Sequence, residues 1–528
     1  MISSQTSWFL TGGRIYTMGP HRLVDSILIL EGKVSLVGSE DFLRQYVPPG
    51  VPELNLKGKS VFPGFCDSHM HFLGYAMSFR RVNLHGVKTL EEALSRVADA
   101  VSRARPGAWV TGGGWDKSLW GGFPSRYDLD RVAPENPVVL SSKDGHSSWL
   151  NSMALRLCGL DRNTPDPDGG SLLRDERGEL TGIVQDRAQE LVSKFVPEPA
   201  VEEKLQACAD AVPRLWKLGI TAAHVSEDLT FMGIARKLHD EYDLPFRFAI
   251  MPYSGALPVL ESLGIRQGYG DDWVWLAQIK MFKDGSLGSS TALLFESYEH
   301  LPGYCGLEVT TDDQLSNLLE RCVETGFGAA VHAIGDKAVS KTLDTIERYI
   351  ARSAARGIRH RIEHAQMVRK EDLPRFSRFN VIASVQPSHV VADRYMADRE
   401  WGQRSRQAYP FASLKKNGAM LVFGSDAPVE VPDPLFGIHC AVNRSLPGEG
   451  PELQWHPEEK VPVIEAIEAY TRNPAYAAGR ENTLGELEPG KWADFVVLGA
   501  DPTQVPEHEI WAIPVEAVCV GGRFVIGP

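Results

Sequence analysis

Residues 311–364 decide the fold, and they read TDDQLSNLLERCVETGFGAAVHAIGDKAVSKTLDTIERYIARSAARGIRHRIEH. Thr311 can cap a helix whose apolar residues recur at the spacing of one helical face: Leu315, Leu318, Leu319 and Cys322. Gly326 ends that helix, and residues 328–332 then read as a buried strand. A second helix and a strand over residues 358–364 repeat the unit. Alternation of helix and buried strand predicts a parallel sheet.

Two more units of this kind follow, one with a strand at residues 381–385 and one that ends in residues 419–426. Of the four strands, three end in a metal-binding type of residue: His332, His364 and Asp426. In a closed (β/α)₈ barrel the carboxyl ends of the strands converge on one face, where the chemistry takes place. A doubly wound open sheet is the competing fold, but its usual glycine fingerprint is absent. We therefore predict an α/β protein with a (β/α)₈ TIM-like barrel.

Both ends of the chain are rich in short β-type runs. In residues 1–60, apolar or alternating runs are separated by glycines that mark turns. Residues 480–528 show the same kind of short apolar runs separated by glycines. A Gly-Gly-Arg sequence starts at both Gly12 and Gly521. We predict that residues 1–60 and 480–528 together form a small β-sandwich domain, which flanks a barrel domain over residues 61–479.

The regular pattern of helices and strands becomes less clear between about residues 72 and 199, where Pro, Gly and Trp are frequent. Residues 112–120, GGGWDKSLW, are typical of this region. We interpret residues 72–199 as an insertion after the first barrel strand that caps the barrel mouth, where a pocket would lie.

The composition restricts the classes of function. With 528 residues, 43% hydrophobic and 23% charged, the chain is ordinary for a globular protein and long enough for two or more domains. A formal net charge of −13 without a basic run argues against nucleic acid or membrane partners and leaves a small-molecule substrate. Seven scattered cysteines form no CxxC pair, which favours a reducing compartment. Since neither a signal peptide nor a bilayer-spanning run is recognisable, we expect a cytoplasmic protein.

The strongest local signal is the sequence PGFCDSHMH at residues 63–71. Residues two apart on an extended segment point the same way, so His69 and His71 can bind one metal ion together. A His-x-His pair alone is weak evidence, because most such histidines are surface or packed imidazoles. Its position after a buried strand that follows the β domain strengthens the metal hypothesis.

Three further strand ends add candidate ligands. They are His332, His364 and Asp426. Each one alone is more often structural, since histidine packs against backbone carbonyls and aspartate caps helices. Several such groups at the ends of successive barrel units rarely coincide by chance, so together they favour a metal centre.

Lys280 lies in an otherwise apolar strand, where burying a charged ammonium is costly. Desolvation lowers the pKa of such an amine, and the neutral form can react with CO₂ to give a carbamate whose two oxygens bridge two metal ions. The alternative is an ordinary buried lysine paired with a carboxylate, and the spacing alone does not separate the two. Lys283, three residues on, is the competing candidate for the bridging lysine.

Five segments together resemble the amidohydrolase superfamily. They are PGFCDSHMH at 63–71, IKMFKDGSLGSSTA at 279–292, VHAIGD at 331–336, IEHAQ at 362–366 and GSDAP at 424–428. The sequence YTRNPA at 470–475 and the sequence GELEPGKWAD at 485–494 are similar to the same family. The likeness is greatest to its YtcJ-like branch, amidohydrolase family 3, which includes N-substituted formamide deformylase. These motifs are specific for the superfamily and not for a substrate.

By position, the resemblance implies a centre of two divalent metals, zinc first, with Mn, Fe or Co also suited to these ligands. His69 and His71 correspond to the ligands of the more buried metal, and Lys280 to the N-carboxylated bridging lysine. The remaining metal ligands correspond to His332, His364 and Asp426. The resemblance also implies a homodimer.

The resemblance further implies hydrolysis of a C–N amide-type bond (N-acyl, formamide or cyclic amide) by attack of a metal-bound hydroxide, with Asp426 and His364 as the catalytic residues. Substrate contacts are predicted for three residues of the insertion: His146, Trp115 and Asp116. For Trp115 a core aromatic of the cap is the alternative. Asp186 is a departure, since relatives often carry glutamate there.

Two other functions compete with amide hydrolysis. The same site suits a lactone, a phosphotriester or a deaminase substrate, because the fold does not fix the electrophile. A non-catalytic scaffold is the second alternative. Such relatives usually lose metal ligands, whereas this sequence keeps the whole set.

Overall fold

The computed structural model describes residues 5–143 and 147–527. The chain divides into two compact units, the first made of Met1–Phe72 and Ala209–Pro528 and the second of Leu73–Cys208. The second unit covers most of the predicted insertion at 72–199, and the domain boundaries at 60 and 480 stay predictions. Among the described helices, none combines the length and the apolar character that crossing a membrane requires.

The chain begins with short strands that belong to two sheets. They are β1 (Trp8–Thr11), β2 (Arg14–Tyr16), β3 (Leu23–Val24), β4 (Ser26–Leu30), β5 (Lys33–Gly38), β6 (Glu53–Asn55) and β7 (Ser60–Pro63), with the one-turn helix α1 (Glu40–Leu43) after β5. Four of them form a sheet in the order β5-β4-β1-β6. The next strand, β8 (Phe65–Met70), is buried along its whole length and carries His69.

The second unit contains a six-stranded mixed sheet in the region where proline, glycine and tryptophan are frequent. Its strands are β9 (Val82–Asn83), β10 (Val110–Trp115), β11 (Val138–Ser142), β12 (Ser147–Leu150), β13 (Gly170–Arg174) and β14 (Leu180–Asp186), in the order β13-β14-β12-β11-β10-β9. The helices are α2 (Phe72–Ser78), α3 (Leu90–Arg103), α4 (Lys117–Trp120), α5 (Arg126–Asp130), α6 (Ser152–Leu157) and α7 (Glu190–Ser193). In α3, the Thr89 hydroxyl accepts a hydrogen bond from Glu92 N, which caps the helix, and Leu94 and Val97 face the core.

Parallel strands and helices follow one another through residues 201–477. The strands are β15 (Ile220–Glu227), β16 (Arg247–Pro252), β17 (Val274–Leu276), β18 (Ile279–Phe282), β19 (Ala329–Ala333), β20 (Arg361–His364), β21 (Ile382–Val385) and β22 (Leu421–Phe423). The helices are α8 (Val201–Trp216), α9 (Phe231–Asp240), α10 (Leu257–Ser262), α11 (Asp312–Thr325), α12 (Asp336–Ala355), α13 (Leu373–Arg378), α14 (Pro387–Trp401), α15 (Phe411–Lys416), α16 (Pro434–Asn443), α17 (Val463–Tyr470) and α18 (Arg472–Ala477). The predicted alternation of helix and buried strand is confirmed.

These strands form two all-parallel sheets, in the orders β17-β16-β15-β8 and β18-β19-β20-β21-β22. Two parallel bridges connect the sheets: Met70 pairs with Ala427 after β22, and Tyr253 after β16 pairs with Lys280. Because every strand is parallel to its neighbours, the carboxyl ends of the strands lie on the same edge. The polar residues that end these strands are therefore brought together.

Helix α11 shows why these segments fold as predicted. Thr311 and Gln314 form a capping box, in which each side chain accepts a hydrogen bond from the other residue's backbone N–H. Leu315, Leu319 and Cys322 lie on the buried face of the helix. Gly326 adopts a left-handed conformation with φ of 90°, which glycine reaches without steric cost, and so ends the helix.

The last strands, β23 (Phe495–Leu498), β24 (Val515–Val520) and β25 (Arg523–Ile526), join strands from the start of the chain. The sheet order is β25-β24-β23-β7-β2-β3. Leu10 and Ile27 of the first terminal sheet pack in the same buried cluster as Phe495 and Phe524 of this one. The two termini therefore share one hydrophobic core.

Candidate metal centre

All six predicted metal ligands lie in or just beyond parallel strands of the first unit, five of them near the carboxyl end and Lys280 at the second residue of its strand. They are His69 in β8, His71 after it, Lys280 in β18, His332 in β19, His364 at the end of β20 and Asp426 after β22. Four are buried, whereas the His71 and His332 side chains keep partial exposure, 32% and 13%. The strand geometry thus brings residues up to 357 positions apart in sequence (426 − 69) to one place.

Asp426 is the centre of the first group of ligands. Its Oδ1 atom lies 3.5 Å from His69 Nε2 and 3.4 Å from His71 Nε2. The ligand atoms of these three residues all lie within 4.8 Å of one another. Two imidazoles and one carboxylate are a donor set suited to zinc and to neighbouring divalent transition metals.

The other two predicted histidines lie beside this group. The His364 ring centroid lies 4.9 Å from that of His69 and 4.5 Å from that of His332. His364 and Asp426 both adopt a left-handed backbone conformation, with φ of 73° and 60°. Such conformations cost about 1–3 kcal/mol in a non-glycine residue and occur preferentially at functional sites.

In three of the histidines, one ring nitrogen donates a hydrogen bond to a protein oxygen. His69 Nδ1–H donates to Glu363 Oε2, His332 Nε2–H donates to the Gly285 carbonyl at 2.9 Å, and His364 Nδ1–H donates to Gln386 Oε1 at 2.9 Å. A neutral imidazole that donates from one nitrogen keeps a lone pair on the other. Metal-binding histidines are commonly oriented by such partners.

The electrostatic environment keeps these three histidines neutral and Asp426 ionised, which are the forms that bind a metal cation. Burial lowers the pKa of His69 to about 4 and that of His332 to about 3, and it also lowers the pKa of His364 well below its usual value. Burial alone would raise the pKa of Asp426, but the His71 hydrogen bond and the nearby His69 hold it well below the usual range. Neutral imidazoles next to an ionised carboxylate fit a divalent metal ion.

Beneath the ligands, a buried ion pair holds His69 in place. Arg361 and Glu363, both 0% exposed, form a two-point salt bridge, and the same carboxylate accepts the His69 hydrogen bond. Arg361 also donates to Ser68 O at 2.7 Å and to Ser384 Oγ at 2.5 Å. Although burial opposes ionisation, Arg361 and His69 hold the pKa of Glu363 well below its usual range.

Asp67 and Gly424 hold β8 against β22. Asp67 Oδ1 accepts from the backbone N–H groups of His69 and Ser425, each at 3.1 Å, and Oδ2 accepts from the Ser425 hydroxyl at 2.6 Å. A Cβ on Gly424 would lie 2.4 Å from His69 N. Only glycine permits this close approach, which sets Asp426 beside His69.

A model of the amidohydrolase family matches residues 53–526. The chain belongs to this family. Protein LONG AFTER FAR-RED 3 of Arabidopsis thaliana is 35% identical to it over 97% of this chain and 90% of its own length. Putative amidohydrolase YtcJ of Bacillus subtilis is 32% identical over 97% and 98%. N-substituted formamide deformylase of Arthrobacter pascens is 26% identical over 94% of each chain, so the predicted resemblance is confirmed.

A solved structure is also similar to this chain. An uncharacterized metal-dependent hydrolase from Pyrococcus horikoshii is 32% identical in sequence, covers 95% of this chain and 99% of its own, and superimposes with a TM-score of 0.81. The family and this neighbour support a hydrolase. The donor set described above is consistent with a metal-dependent member of the family.

The two candidate lysines have different surroundings. Lys280 Nζ lies 3.2 Å from His69 Nε2, and burial lowers its pKa to about 8. Lys283 Nζ instead donates to Glu308 Oε1 and Asp312 Oδ1, each at 2.6 Å, and to the Thr310 carbonyl. Lys283 is thus the buried lysine paired with carboxylates, and Lys280 is the lysine at the ligand cluster.

The sequence did not indicate His389. It follows β21, the one strand for which no terminal histidine or aspartate was noted, and lies in the first turn of α14. One of its ring nitrogens lies within 4.8 Å of ligand atoms of both His364 and Asp426. The sequence QPSH at residues 386–389 was the available signal, since its histidine follows a buried strand closely.

The outcome differs among the residues that were predicted to contact the substrate. His146 lies outside the described residues. Trp115 is 1% exposed and donates from Nε1 to Leu140 O at 2.7 Å, which favours the alternative of a core aromatic over a substrate contact. Asp116 is partly exposed, and its role stays a prediction. Asp186 is exposed at the end of β14.

Proposed function

We propose that this amidohydrolase is a metal-dependent enzyme that hydrolyses a C–N amide-type bond: an N-acyl, formamide or cyclic amide. The observation that carries the proposal is the cluster of His69, His71 and Asp426, in which the Nε2 atoms of the two imidazoles lie 3.5 and 3.4 Å from one carboxylate oxygen. The preference for an amide rests on the likeness to N-substituted formamide deformylase.

We infer that the two parallel sheets form one barrel. Strands β17 and β18 follow each other as parts of one strand, so β8, β15, β16, β17–β18 and β19 to β22 make eight. The bridges from Met70 to Ala427 and from Tyr253 to Lys280 support closure on both sides. We infer equally that the two terminal sheets pack as a β-sandwich, since both contribute to one apolar core.

The residues that would hold metal are those of the cluster. His69, His71 and Asp426 supply one group of donors, His332 and His364 lie beside it, and Lys280 is the residue for a bridging carbamate. A divalent ion in such a site polarises a substrate carbonyl and makes water more acidic.

Asp426 is the residue placed to move protons. Its ionised carboxylate can take a proton from the attacking water at Oδ1 or Oδ2 and return it to the leaving nitrogen, as general base and then general acid. His71 and His69 keep this carboxylate ionised, so it is ready to accept the first proton at neutral pH.

A substrate panel tests the reaction. We expect the purified protein to hydrolyse N-acyl amides, formamides or cyclic amides with a kcat/KM at least about tenfold above that for lactones, aryl phosphotriesters or deaminase substrates, equivalent to about 1.4 kcal/mol. Removing metal with a chelator should abolish turnover, and Zn²⁺, Mn²⁺ or Co²⁺ should restore it. Full turnover by metal-free protein would refute a metal-dependent reaction, and a preference for lactones would reassign the substrate.

The two lysines give a separate prediction about carboxylation. We expect the Lys280→Ala variant to lose most activity and to regain part of it when a short carboxylic acid is added, because the acid can occupy the place of a carbamate. The Lys283→Ala variant is the control, and it should lower thermal stability without responding to the acid, because Lys283 pairs with Glu308 and Asp312. Rescue of Lys283→Ala alone would identify Lys283 as the bridging residue.

A further inference from the structure

Asp393 and Glu430 are half-buried carboxylates close in sequence to residues of the metal-ligand cluster. Asp393 lies on α14 four residues after His389 (393 − 389), and Glu430 follows Asp426 by four residues (430 − 426). The Asp393 carboxylate accepts a hydrogen bond from the Tyr409 hydroxyl. Glu430 forms no hydrogen bond or ion pair within the described part of the chain. Carboxylates removed from water are usually paired with a cation, so this pair indicates a missing partner.

The burial pattern around the two carboxylates is the reverse of the usual one. Val429 and Val431 are 63% and 57% exposed, whereas Glu430 between them is half-buried. On α14, Tyr395 is 68% exposed, whereas Asp393 is half-buried. Apolar side chains usually occupy the interior, and carboxylates usually face water. Because burying a carboxylate without a cation costs free energy, the arrangement points to a functional role for the two acids.

His389 connects the two carboxylates with the cluster. It is 6% exposed, and its Nε2 atom is buried without a hydrogen-bond partner among the described residues. One of its ring nitrogens lies within 4.8 Å of ligand atoms of His364 and Asp426, and the ring also interacts electrostatically with Asp393 and Glu430. A helical rise of about 1.5 Å per residue places Asp393 about 6 Å further along the same face of α14. The unpaired nitrogen thus points to a ligand that reaches from Asp426 towards the acids.

The two acids suit an organic cation better than a metal ion. Neither belongs to a group of three or more donor atoms within 4.8 Å of one another in the described ranges. A metal ion needs its donors at about 2.0–2.2 Å, whereas an ammonium group has three rotatable donors that reach acceptors in several directions. Burial raises the pKa of both carboxylates, and Asp393 raises that of Glu430 further. A bound cation would counteract both effects.

We propose that the substrate carries a positively charged group, an ammonium or guanidinium on a short chain, which Asp393 and Glu430 bind beside His389 while the amide lies at the cluster. This proposal rests on the proposed function and names its substrate class: amides of diamines or of guanidino amines. The same two carboxylates repel a substrate whose chain ends in an acid, which gives the site selectivity by charge.

A series of matched substrates tests the preference for charge. All members share the amide group that the substrate panel favours and carry an ethylene, butylene or hexylene chain that ends in an ammonium, a methyl or a carboxylate. With wild-type protein, we expect kcat/KM for the best ammonium-ended amide to exceed that of its methyl-ended counterpart by at least about tenfold. The carboxylate-ended amides should be the slowest. Equal values for ammonium and methyl ends at every chain length would overturn the proposal.

Asp393→Asn and Glu430→Gln remove one charge each with little change in volume. We expect each to lower the ratio of the two kcat/KM values, ammonium-ended over methyl-ended, by at least about fivefold. A merely structural role would lower both values together and leave their ratio as in the wild type, and that result would contradict the proposal.

Asp433→Asn is the matched control. Asp433 also follows β22, but its carboxylate caps α16 by accepting hydrogen bonds from Leu435 N and Phe436 N. Asparagine is an equally good cap, so this variant removes a nearby charge and keeps the helix. The ratio should stay as in the wild type. A decrease as large as in Glu430→Gln would reveal a general effect of net charge and would refute a specific site.

Binding of n-butylammonium tests the site without turnover. Calorimetry at constant ionic strength, which keeps the screening of surface charges the same, compares it with the uncharged n-butanol. Wild-type protein should bind the ammonium ion more tightly than the alcohol. Asp393→Asn and Glu430→Gln should each raise its dissociation constant by at least about fivefold. Equal affinities in the wild type and both variants would rule out the site.

The outcomes separate this proposal from the proposed function. Protein that binds n-butylammonium as expected but hydrolyses no amide contradicts the proposed function and retains the cation site. Metal-dependent amide hydrolysis without any preference for ammonium-ended substrates overturns the cation site alone.

Discussion

We expect the His69→Ala variant to lose hydrolysis by about three orders of magnitude or more in kcat/KM, which corresponds to about 4 kcal/mol of transition-state stabilisation. His69 is 0% exposed, and its Nε2 faces Asp426 at 3.5 Å and Lys280 Nζ at 3.2 Å. Alanine removes this metal ligand and takes from the Glu363 carboxylate one of its hydrogen-bond donors, while Arg361 remains as the other. Both losses weaken metal binding. Kinetics on the best substrate of the panel and elemental analysis of metal per chain measure the two effects.

The control for this variant is a buried histidine outside the cluster. His360 is 1% exposed, accepts a hydrogen bond from Ala329 N at Nδ1 and contacts the Ser353 hydroxyl through Nε2. His360→Gln should lower stability but keep the wild-type metal content. If His69→Ala retained both its metal and its turnover, this histidine would not be a ligand and the cluster would need another interpretation.

The alternation of helix and strand could be predicted because each signal is local. Thr311 and Gly326 mark the ends of α11 within one segment, and the apolar residues of β19 follow directly. Capping and helical periodicity depend only on neighbours in sequence. The convergence of His332 and His364 then followed from the parallel arrangement, since adjacent parallel strands end at the same edge.

The sheet of the second unit could not be predicted in the same way. Glycine is usually disfavoured in strands, so residues 112–114 gave no strand signal. In the structure, Gly112 and Gly113 lie within β10, and a Cβ on Gly112 would lie 2.2 Å from Val82 O. Close approach of a neighbouring strand requires these glycines. That requirement comes from tertiary packing and leaves no periodic pattern.

The sequence predicted the donor residues of the candidate site, but it did not predict the residues that hold those donors in place. His389 escaped notice because it lies beyond the end of β21, on the first turn of a helix, where histidine has many ordinary roles. The sequence places Arg361 and Glu363 only within the strand predicted over residues 358–364. Their spacing of two places both side chains on one face of β20, so a charged pair on the inner face of a buried strand was a usable signal.

The Arg361→Ala variant is expected to lower the free energy of unfolding by about 3–5 kcal/mol, because it leaves the Glu363 carboxylate buried without its cation. Arg361 is 0% exposed and makes hydrogen bonds to Glu363, Ser384 and the Ser68 carbonyl. The shift in the urea concentration at which the protein unfolds measures this loss of stability.

An exposed ion pair provides the comparison for Arg361→Ala. Arg352, which is 45% exposed, forms salt bridges with Glu320 and Glu324. Solvent screening makes such pairs weak, so Arg352→Ala should leave the transition nearly unmoved. If Arg361→Ala moved the transition no further than Arg352→Ala, the buried pair would not be needed to hold β20 and His69 together. A large shift combined with reduced metal affinity would instead link the stability of this strand to the metal centre, because the same Glu363 carboxylate accepts hydrogen bonds from both Arg361 and His69.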